Sequence, residues 1–581
     1  MIVGIDLGTT NSSISAYVDG ELKLIPNAFG KVLTPSVVSF DEDGSYFVGA
    51  IAKERLVTNP DTTFKEFKRD MGSGKIYEVF GKQYKPEDLS ALILKQLKAD
   101  AERVTGQRIS DAVISVPAYF TDKQRAATRN AGLIAGLNVI CLINEPSAAA
   151  LTYHVDNMDK DEKYLVFDFG GGTLDVTLVD AFDNIIEIEN ISGDNYLGGA
   201  DFNKAIAIDI CKKHRIPWSA LSSDKKEILL NVGEEIKIHL TDHEQCDYVV
   251  NLDSQPYEYT LTRQGLVEIS SDIFNKITIV LKRIMNDAGI AVNEVDGVIM
   301  IGGSSKMPII QAFINKLFDG FAKYEINGDT IVCLGAGIVA GIKERNDLVK
   351  DIILTDIAPF SLGTGVADGS FSVIIPKNQV LPCSSWGYFQ TTRDYQEKVE
   401  FTVYQGENII ASKNQVVRKI TIPIERRLKG EVKIAVNYSY DINGIFDVDI
   451  TGDGIKEEVH EKIGLSEGDS SAEIQSRRKK LDEMKTNPQS QEEDLLVVEK
   501  AGRLAAECNA EQRVMLEKAL MSFLQTCRQA SSKLEIKEAK RRLESVMVII
   551  EKSMFSFADF DADMWREMIE GTENSNPNKE E

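Results

Sequence analysis

Two distant segments of the chain share one grammar, and that repetition constrains the fold more than any other feature. In VGIDLGTTNSSISAYVD (Val3 to Asp19) and YLVFDFGGGTLDVTLVD (Tyr164 to Asp180), an apolar run reaches an acid, crosses a glycine- and threonine-containing turn, and resumes as a second run. Each reads as two strands joined by a tight turn. Glycine weakens a strand and offers nothing to pack, so Gly170, Gly171 and Gly172 need a reason. Consecutive backbone N–H groups without Cβ atoms can converge on an anion, and threonine hydroxyls add donors. One such turn alone is most simply a backbone device. Two matching turns, preceded by Asp6 and Asp168, suggest two pseudo-duplicated halves, each lending a hairpin turn to a shared phosphate-binding cleft. No GxxxxGK[ST] occurs, so this is not a P-loop.

Acids beside a polyphosphate make sense with a cation between them. Magnesium keeps much of its water and uses one or two carboxylates plus phosphate oxygens, which suits Asp6 and Asp168 as metal residues acting through water. Asp175 reads as support for the loop rather than a ligand. VIMIGGSSKMP runs a strand into Gly302 and Gly303 and then a helix, suiting close packing against a nucleoside. NEPSAAALTY sets Glu145 at a helix start, where a carboxylate could orient attacking water or simply complement the helix dipole. Lys68 in FKEFKRDMG, taken alone, is a surface lysine.

The 581 residues predict several domains. A net charge of −24 argues against nucleic acid and anionic membranes, because phosphate backbones and headgroups need clustered Lys and Arg. No apolar run is long enough for a membrane helix, and the seven cysteines show no CxxC spacing. The expectation is a cytoplasmic chain with reduced thiols. Residues 1–350 alternate strand and helix patterns, as an α/β region does. Residues 357–455 turn to antiparallel texture. KVEFTVYQG sets Val399, Phe401 and Val403 on one face, and Asn443-Gly444 is a hairpin signal. Residues 456–570 show helical spacing rich in Glu and Lys, and 571–581 should be disordered. The connector 351–356 contains Ile352, Ile353 and Leu354 between Asp351 and Asp356. Linkers are normally polar, so this one is either a buried strand or a segment that docks in one state and leaves in another.

The ordered set GIDLGTTNS, KRDMG, VISVPAYFTDKQRAATRNAGLIAGL, LINEPSAAA, FDFGGGTLDV, IGGSSKMP and LTDIAPFSLG resembles the heat shock protein 70 (DnaK-type) chaperones, most closely their bacterial HscC branch. The resemblance covers residue 2 to about 455 and, more loosely, the helical tail. It implies an actin-like, two-lobed α/β ATPase domain, an interdomain linker, an antiparallel β-sandwich that binds peptide, and an α-helical lid. It implies a first phosphate loop at Gly8, Thr9, Thr10 and Asn11, and a second at Gly170, Gly171, Gly172 and Thr173. Asp6 and Asp168 would hold the magnesium shell. Lys68 would reach the terminal phosphate and water, with Glu145 nearby and Thr173 beside the leaving phosphate. Gly198 and Gly199 would line the cleft. Glu234, Lys237 and Thr241, with Gly302, Gly303, Ser304, Lys306 and Asp329, would serve the adenosine. Pro117 and Arg125 would relay to the linker residues Ile352, Ile353, Leu354 and Asp356. In the β-domain, Thr364, Phe389, Val399 and Phe401 match the peptide pocket, and Ala367 and Thr392 the arch over it; read alone, the pocket residues are ordinary sandwich core.

The resemblance further implies ATP and Mg2+ as cofactors, with K+ an open addition, extended client polypeptides and a J-domain cochaperone as partners, and a functional monomer. Whether an exchange factor is needed stays open. Three departures stand out. Ile238 and Lys306 replace the usual pair of arginines around adenine, and arginine stacks on a ring far better than lysine. Ala200 replaces a longer polar or acidic residue, and the arch residues Ala367 and Thr392 are small. The rival enzyme is a sugar or acetate kinase on the same ATPase fold, and the rival from another class is an actin-like filament protein. The β-domain and the apolar connector speak against the kinase, and ATP-dependent sedimentation would discriminate the filament protein.

Overall fold

The computed structural model describes residues 1–155, 161–182, 185–252, 255–318, 322–324, 328–346, 349, 352–441, 446–463, 471–486, 492–529 and 533–554. The chain divides into two compact units: Met1–Lys53, Asp61–Phe202 and Ser271–Glu493 form the first, and Glu54–Pro60, Asn203–Ser270 and the chain from Asp494 form the second.

The duplicated grammar becomes a duplicated topology. In one sheet of the first unit the strand order is Asn138–Asn144, Asp111–Val116, Ile2–Asp6, Asn11–Val18, Glu21–Leu24. In a second it is Ala322–Tyr324, Gly297–Ile301, Glu162–Phe169, Leu174–Phe182, Ile185–Asp194. In both, the strand that ends near the glycine turn pairs parallel on one side and antiparallel with its hairpin partner on the other. The outer neighbours repeat the same senses. The central strands are buried along their length and β-branched, as parallel strands covered on both faces must be.

Between these strands run helices Glu145–Val155 and Ile331–Lys343, both nearly all buried. Their close approach depends on glycine: a Cβ on Gly335 would sit 2.0 Å from the Ala148 carbonyl oxygen, and one on Gly4 would sit 2.1 Å from the Gly337 nitrogen. Any side chain at either position would force the layers apart.

The apolar connector is a strand. Ile353–Ile357 pairs parallel with Ile185–Asp194, in the register Ile185↔Ile353 to Glu187↔Thr355, and so joins the second sheet. Ile352 and Ile357 are buried in the same core as Ile186 and Ile188, whereas Ile353 stays half exposed.

Residues 362–463 form two four-stranded antiparallel sheets, ordered Phe371–Ile375, Leu362–Gly365, Lys398–Gln405, Gln415–Pro423 and Cys383–Gln390, Lys433–Tyr440, Phe446–Asp453, Val459–Ile463. Leu362, Phe401 and Val403 of one sheet share a core with Val436, Tyr438 and Val448 of the other, which makes a sandwich. Strands Lys433–Tyr440 and Phe446–Asp453 pair as a hairpin closing at Tyr440↔Phe446; the Asn443-Gly444 turn itself lies outside the described residues. Helix Ser471–Asp482 packs within the first unit, where Arg477 Nε donates to Asp88 at 2.8 Å and Lys95 Nζ to Asp482 at 2.6 Å.

The second unit combines helix Ser223–Asp242 and the hairpin Gln245–Leu252 and Gln255–Thr262 with helices Ala510–Gln529, Lys533–Met554 and most of Glu492–Glu507. The expected tail, 571–581, lies outside the described residues. All seven cysteines are free thiols, and no helix among the described residues is long and apolar enough to cross a membrane.

Candidate functional site

The two glycine turns meet. A Cβ on Gly171 would lie 1.8 Å from Thr10 Oγ1, and one on Gly172 would lie 2.5 Å from Thr9 Cγ2. The second turn closes on itself through Gly170 N–H to the Thr173 carbonyl at 3.1 Å. A third glycine pair backs it: Gly199 N donates to the Gly170 carbonyl at 3.0 Å, and Ala200 N to that of Gly171 at 2.9 Å. Ser304 Oγ donates to the Gly170 carbonyl at 2.7 Å. Gly302 takes φ +83° where a Cβ would meet Phe169 O at 2.6 Å and Asp168 Oδ1 at 2.8 Å. Gly8, Thr9, Thr10, Gly170–Gly172, Gly198, Gly199, Gly302 and Ser304 thus crowd one locus, and Gly303 sits beside Asp329, which pairs with Lys306.

Beneath these turns lies a buried set of carboxylates. Asp6 Oδ1 accepts from Ser115 Oγ at 2.6 Å. Asp175 Oδ1 accepts from Tyr119 N at 3.3 Å, while its Oδ2 has no hydrogen-bond partner. Glu145 Oε1 accepts from Lys68 Nζ at 2.5 Å, with both side chains buried. Lys68 is therefore no surface lysine. It lies in the short turn Phe67–Asp70, and its ammonium also stands 5.7 Å from the Phe120 ring centroid. Burial and then the Glu145 charge push the Asp6 carboxyl up to about 6 and that of Asp175 up to about 7. Burial, Glu145, Asp175 and Asp6 hold Asp168 well above the usual range, against the opposing pull of Lys68. Like charges crowded in a dry site oppose one another's ionisation.

A family model described as Hsp70 protein matches residues 2–78 and 74–556. The chain belongs to the Hsp70 family. This Hsp70 is accordingly a chaperone of a family that uses ATP with Mg2+ and serves unfolded clients alongside J-domain cochaperones.

The donor set suits that metal. Among the described residues no group of three or more His, Cys, Asp or Glu is arranged as a full metal cage. Magnesium asks instead for one or two carboxylates, water and phosphate, and a dication would offset the burial and the like-charge repulsion that raise Asp6 and Asp168. The unpaired Asp175 Oδ2 is an acceptor left for a water of such a shell.

Other expected residues fall elsewhere. Glu234, Lys237 and Thr241 lie on helix Ser223–Asp242 of the second unit, with Ile238 exposed beside them. Pro117 and Arg125 flank the start of helix Asp122–Ile134. The Arg125 guanidinium donates to the carbonyls of Ala118 and Phe120, both at 3.2 Å, and to Asn144 Oδ1 at 2.5 Å. Asn144 Nδ2 donates to Asp356 Oδ2 at 2.7 Å, and Ser147 Oγ to the same oxygen at 3.1 Å. In the sandwich, Thr364 and Phe401 are buried, the Phe389 and Phe401 rings meet edge-on at 5.5 Å, and Val399 packs partly buried on the same core. Ala367 and Thr392 are exposed.

Sequence reasoning passed over four groups. Ser115 and Tyr119 hold the two acids, and nothing in their own spacing announces it. Arg69 follows Lys68, and its buried Nε and Nη2 have no hydrogen-bond partner beside Gly172; its ion pairs to Glu66 and Asp201 are long, at 3.4 and 3.6 Å. Adjacency to Lys68 was the available signal. Asp122 accepts from Tyr440 Oη at 2.9 Å and its backbone N–H donates to Gln405 Oε1 at 3.2 Å, which joins the helix start to the sandwich.

Proposed function

We propose that this Hsp70 hydrolyses Mg-ATP on the Gly8–Asn11 and Gly170–Thr173 loops and uses the cycle to switch binding and release of extended apolar peptide segments in the sandwich. The observation that carries this reading is the docked connector. Strand Ile353–Ile357 continues the sheet whose hairpin holds Asp168 and Gly170–Gly172, and it leads directly into the sandwich. A change at the turns has a hydrogen-bonded route to the connector, along which two-site coupling would run; such couplings are typically about 1–3 kcal/mol.

Asp6 and Asp168 would hold Mg2+, which when bound neutralises phosphate charge. Lys68, oriented by Glu145, sets a cation where the terminal phosphate gathers charge, and preorganised charge of this kind is usually the largest catalytic contribution. Glu145 would orient the attacking water. Thr173, Gly198 and Gly199 complete the wall. Glu234, Lys237, Thr241, Lys306 and Asp329 would serve the nucleoside, with a weaker stack because Ile238 and Lys306 stand where arginines usually do. Peptide would lie extended, hydrogen-bonded through its backbone, with an apolar side chain near Val399 and Phe389. The domain limits in this reading are 1–350, 351–356, 357–455 and 456–570, except that the last sandwich strand, Val459–Ile463, carries the β-domain past the expected 455. Assignment to the HscC branch, a cytoplasmic monomer and a J-domain cochaperone as partner belong to the same proposal. ATPase turnover measured with and without an apolar peptide, together with peptide release triggered by ATP, tests it. ATP-accelerated release supports the reading. A sugar phosphate formed stoichiometrically with ATP, without any peptide effect, overturns it.

A further inference from the structure

Two of the five histidines stand one helical turn apart. His239 lies in the last turn of helix Ser223–Asp242 and His243 follows it directly, both within the second unit. Their rings stack in parallel, with 4.0 Å between centroids and 6° between planes. The other three histidines are scattered: His154 is buried, the His214 ring meets the Glu258 carbonyl, and His460 pairs with Asp449. Residues four apart on a helix share one face, and two imidazoles at that spacing can hold one ion between them, as in the two-histidine helices of zinc enzymes.

The backbone sets the pair in place. His243 N–H donates to the His239 carbonyl at 3.1 Å, so helical spacing carries through to His243. The His243 ring reaches the same oxygen, with Nδ1 at 3.1 Å. A carbonyl can only accept, so Nδ1 carries the proton and, in the neutral ring, Nε2 carries the lone pair. A metal-bound histidine characteristically gives its second ring N–H to such a partner. Arg263 closes the turn, with Nε on the Leu240 carbonyl and Nη2 on that of Thr241, both at 2.8 Å, and Nη1 on Glu244 at 2.5 Å. Zinc–imidazole bonds of about 2.1 Å set two nitrogens about 3.4 Å apart at the tetrahedral angle. Rings stacked at 4.0 Å need only a small turn of either side chain to present nitrogens at that span. The end of a helix also favours a cation, and Asp242 and Glu244 flank His243. His239 is half-buried and His243 exposed, so an ion reaches them from solvent.

We propose that His239 and His243 form a binding site for one divalent transition-metal ion of the class imidazole prefers, Zn2+, Ni2+ or Cu2+, with water completing the coordination. Hard ions such as Mg2+ choose oxygen instead, so this site and the carboxylates beneath the glycine turns would take different metals. Two protein ligands and water make an exchangeable site, since structural zinc sites close with four. The ion clips the last helical turn across its two ligands. It binds that end only while it is helical, and so stabilises it. Neither histidine has a part in the ATPase cycle proposed above.

The test is calorimetric titration of the full-length, tag-free chain with Ni2+ in excess Mg2+, which occupies oxygen sites. The wild-type chain is expected to take up Ni2+ with amide exchange slowed over 239–243. His239→Ala and His243→Asn are each expected to weaken that binding by about tenfold or more, as loss of one of two ligands requires. His214→Ala is expected to leave it unchanged. Asparagine sets an N–H donor where His243 Nδ1 stands and lacks Nε2, so His243→Asn keeps the contact to the His239 carbonyl and carries the test alone if His239→Ala does not fold. Ni2+ binding within twofold of wild type in the folded variants overturns the site, and so does a wild-type chain that takes up no Ni2+.

Discussion

Asp356→Ala is the perturbation that speaks most directly to the docked connector. Its carboxylate accepts from Asn144 at 2.7 Å, from Ser147 at 3.1 Å, and from the neighbouring Ile357 N–H at 2.8 Å. The last is local and survives undocking, so two bonds distinguish the docked connector from a released one. Truncation orphans the Asn144 and Ser147 donors in a buried setting, at about 1–3 kcal/mol each. Part of that is offset, because burial raises the Asp356 carboxyl despite these donors, so its charge is held at a cost that alanine removes. The net loss for the docked connector is then about 2–4 kcal/mol, or roughly thirty- to a thousandfold in the docking equilibrium. Amide hydrogen exchange over 353–357 in the presence of ATP reads this directly, and protection should fall by at least thirtyfold. ATP-triggered peptide release should fall with it. Asp356→Asn keeps an acceptor without the charge and should lose much less. Protection within twofold of wild type in Asp356→Ala would show that strand pairing alone holds the connector, and the argument from Asp356 would be wrong.

Lys68→Ala should lower the hydrolysis rate by about a hundred- to a thousandfold while ATP binding changes little, since the lost cation acts chiefly where charge develops; normal single-turnover rates would refute its placement. Gly171→Ala should weaken ATP binding at least tenfold in a folded protein, because the new methyl meets Thr10 Oγ1 at 1.8 Å, and unchanged titration calorimetry would count against the two-turn clamp. Chelating Mg2+ with EDTA should abolish turnover; steady hydrolysis without a divalent ion would remove the role given to Asp6 and Asp168. Tyr440→Phe deletes the hydroxyl on buried Asp122, at about 1–3 kcal/mol for the orphaned acceptor, and should blunt peptide stimulation of ATPase while leaving basal turnover intact.

What the sequence made legible depended on whether the signal was local. The twin hairpins were readable because strand, acid and glycine turn are contiguous, and the structure repeats not only the hairpins but the order and sense of five strands around each. The sandwich was readable from the alternation Val399, Phe401, Val403, whose members pack toward its core. The connector left two readings open, because a buried strand and a docking segment share one composition; its pairing with Ile185–Glu187 makes it a strand. Lys68 was unreadable by itself, since nothing around it says that Glu145, far along the chain, waits at 2.5 Å. The ion pairs of Arg503 were invisible for the same reason: a helical Glu- and Lys-rich stretch reads as solvated surface, and its partners Glu54 and Glu235 come from other parts of the chain.

The segment 117–125 shows why a relay in this chain would be short. Tyr119 N–H holds Asp175 beneath the glycine turns, and the Tyr119 ring stands 4.5 Å from that of Phe360 at the entry to the sandwich. Arg125 braces the Ala118 and Phe120 carbonyls and reaches Asn144, which holds the connector through Asp356. Asp122 meets Tyr440 and Gln405 of the sandwich, and Phe120 lies under the Lys68 ammonium. Nine consecutive residues thus touch the carboxylate cluster, the connector and the sandwich together. Spatial contiguity alone does not establish coupling; it marks where the proposed relay would run. A shift that releases Tyr119 from Asp175 cannot leave the Arg125 and Asp122 contacts untouched, because one short turn and the first coil of one helix carry all three. In the proposed cycle, those contacts would translate nucleotide state into grip on peptide.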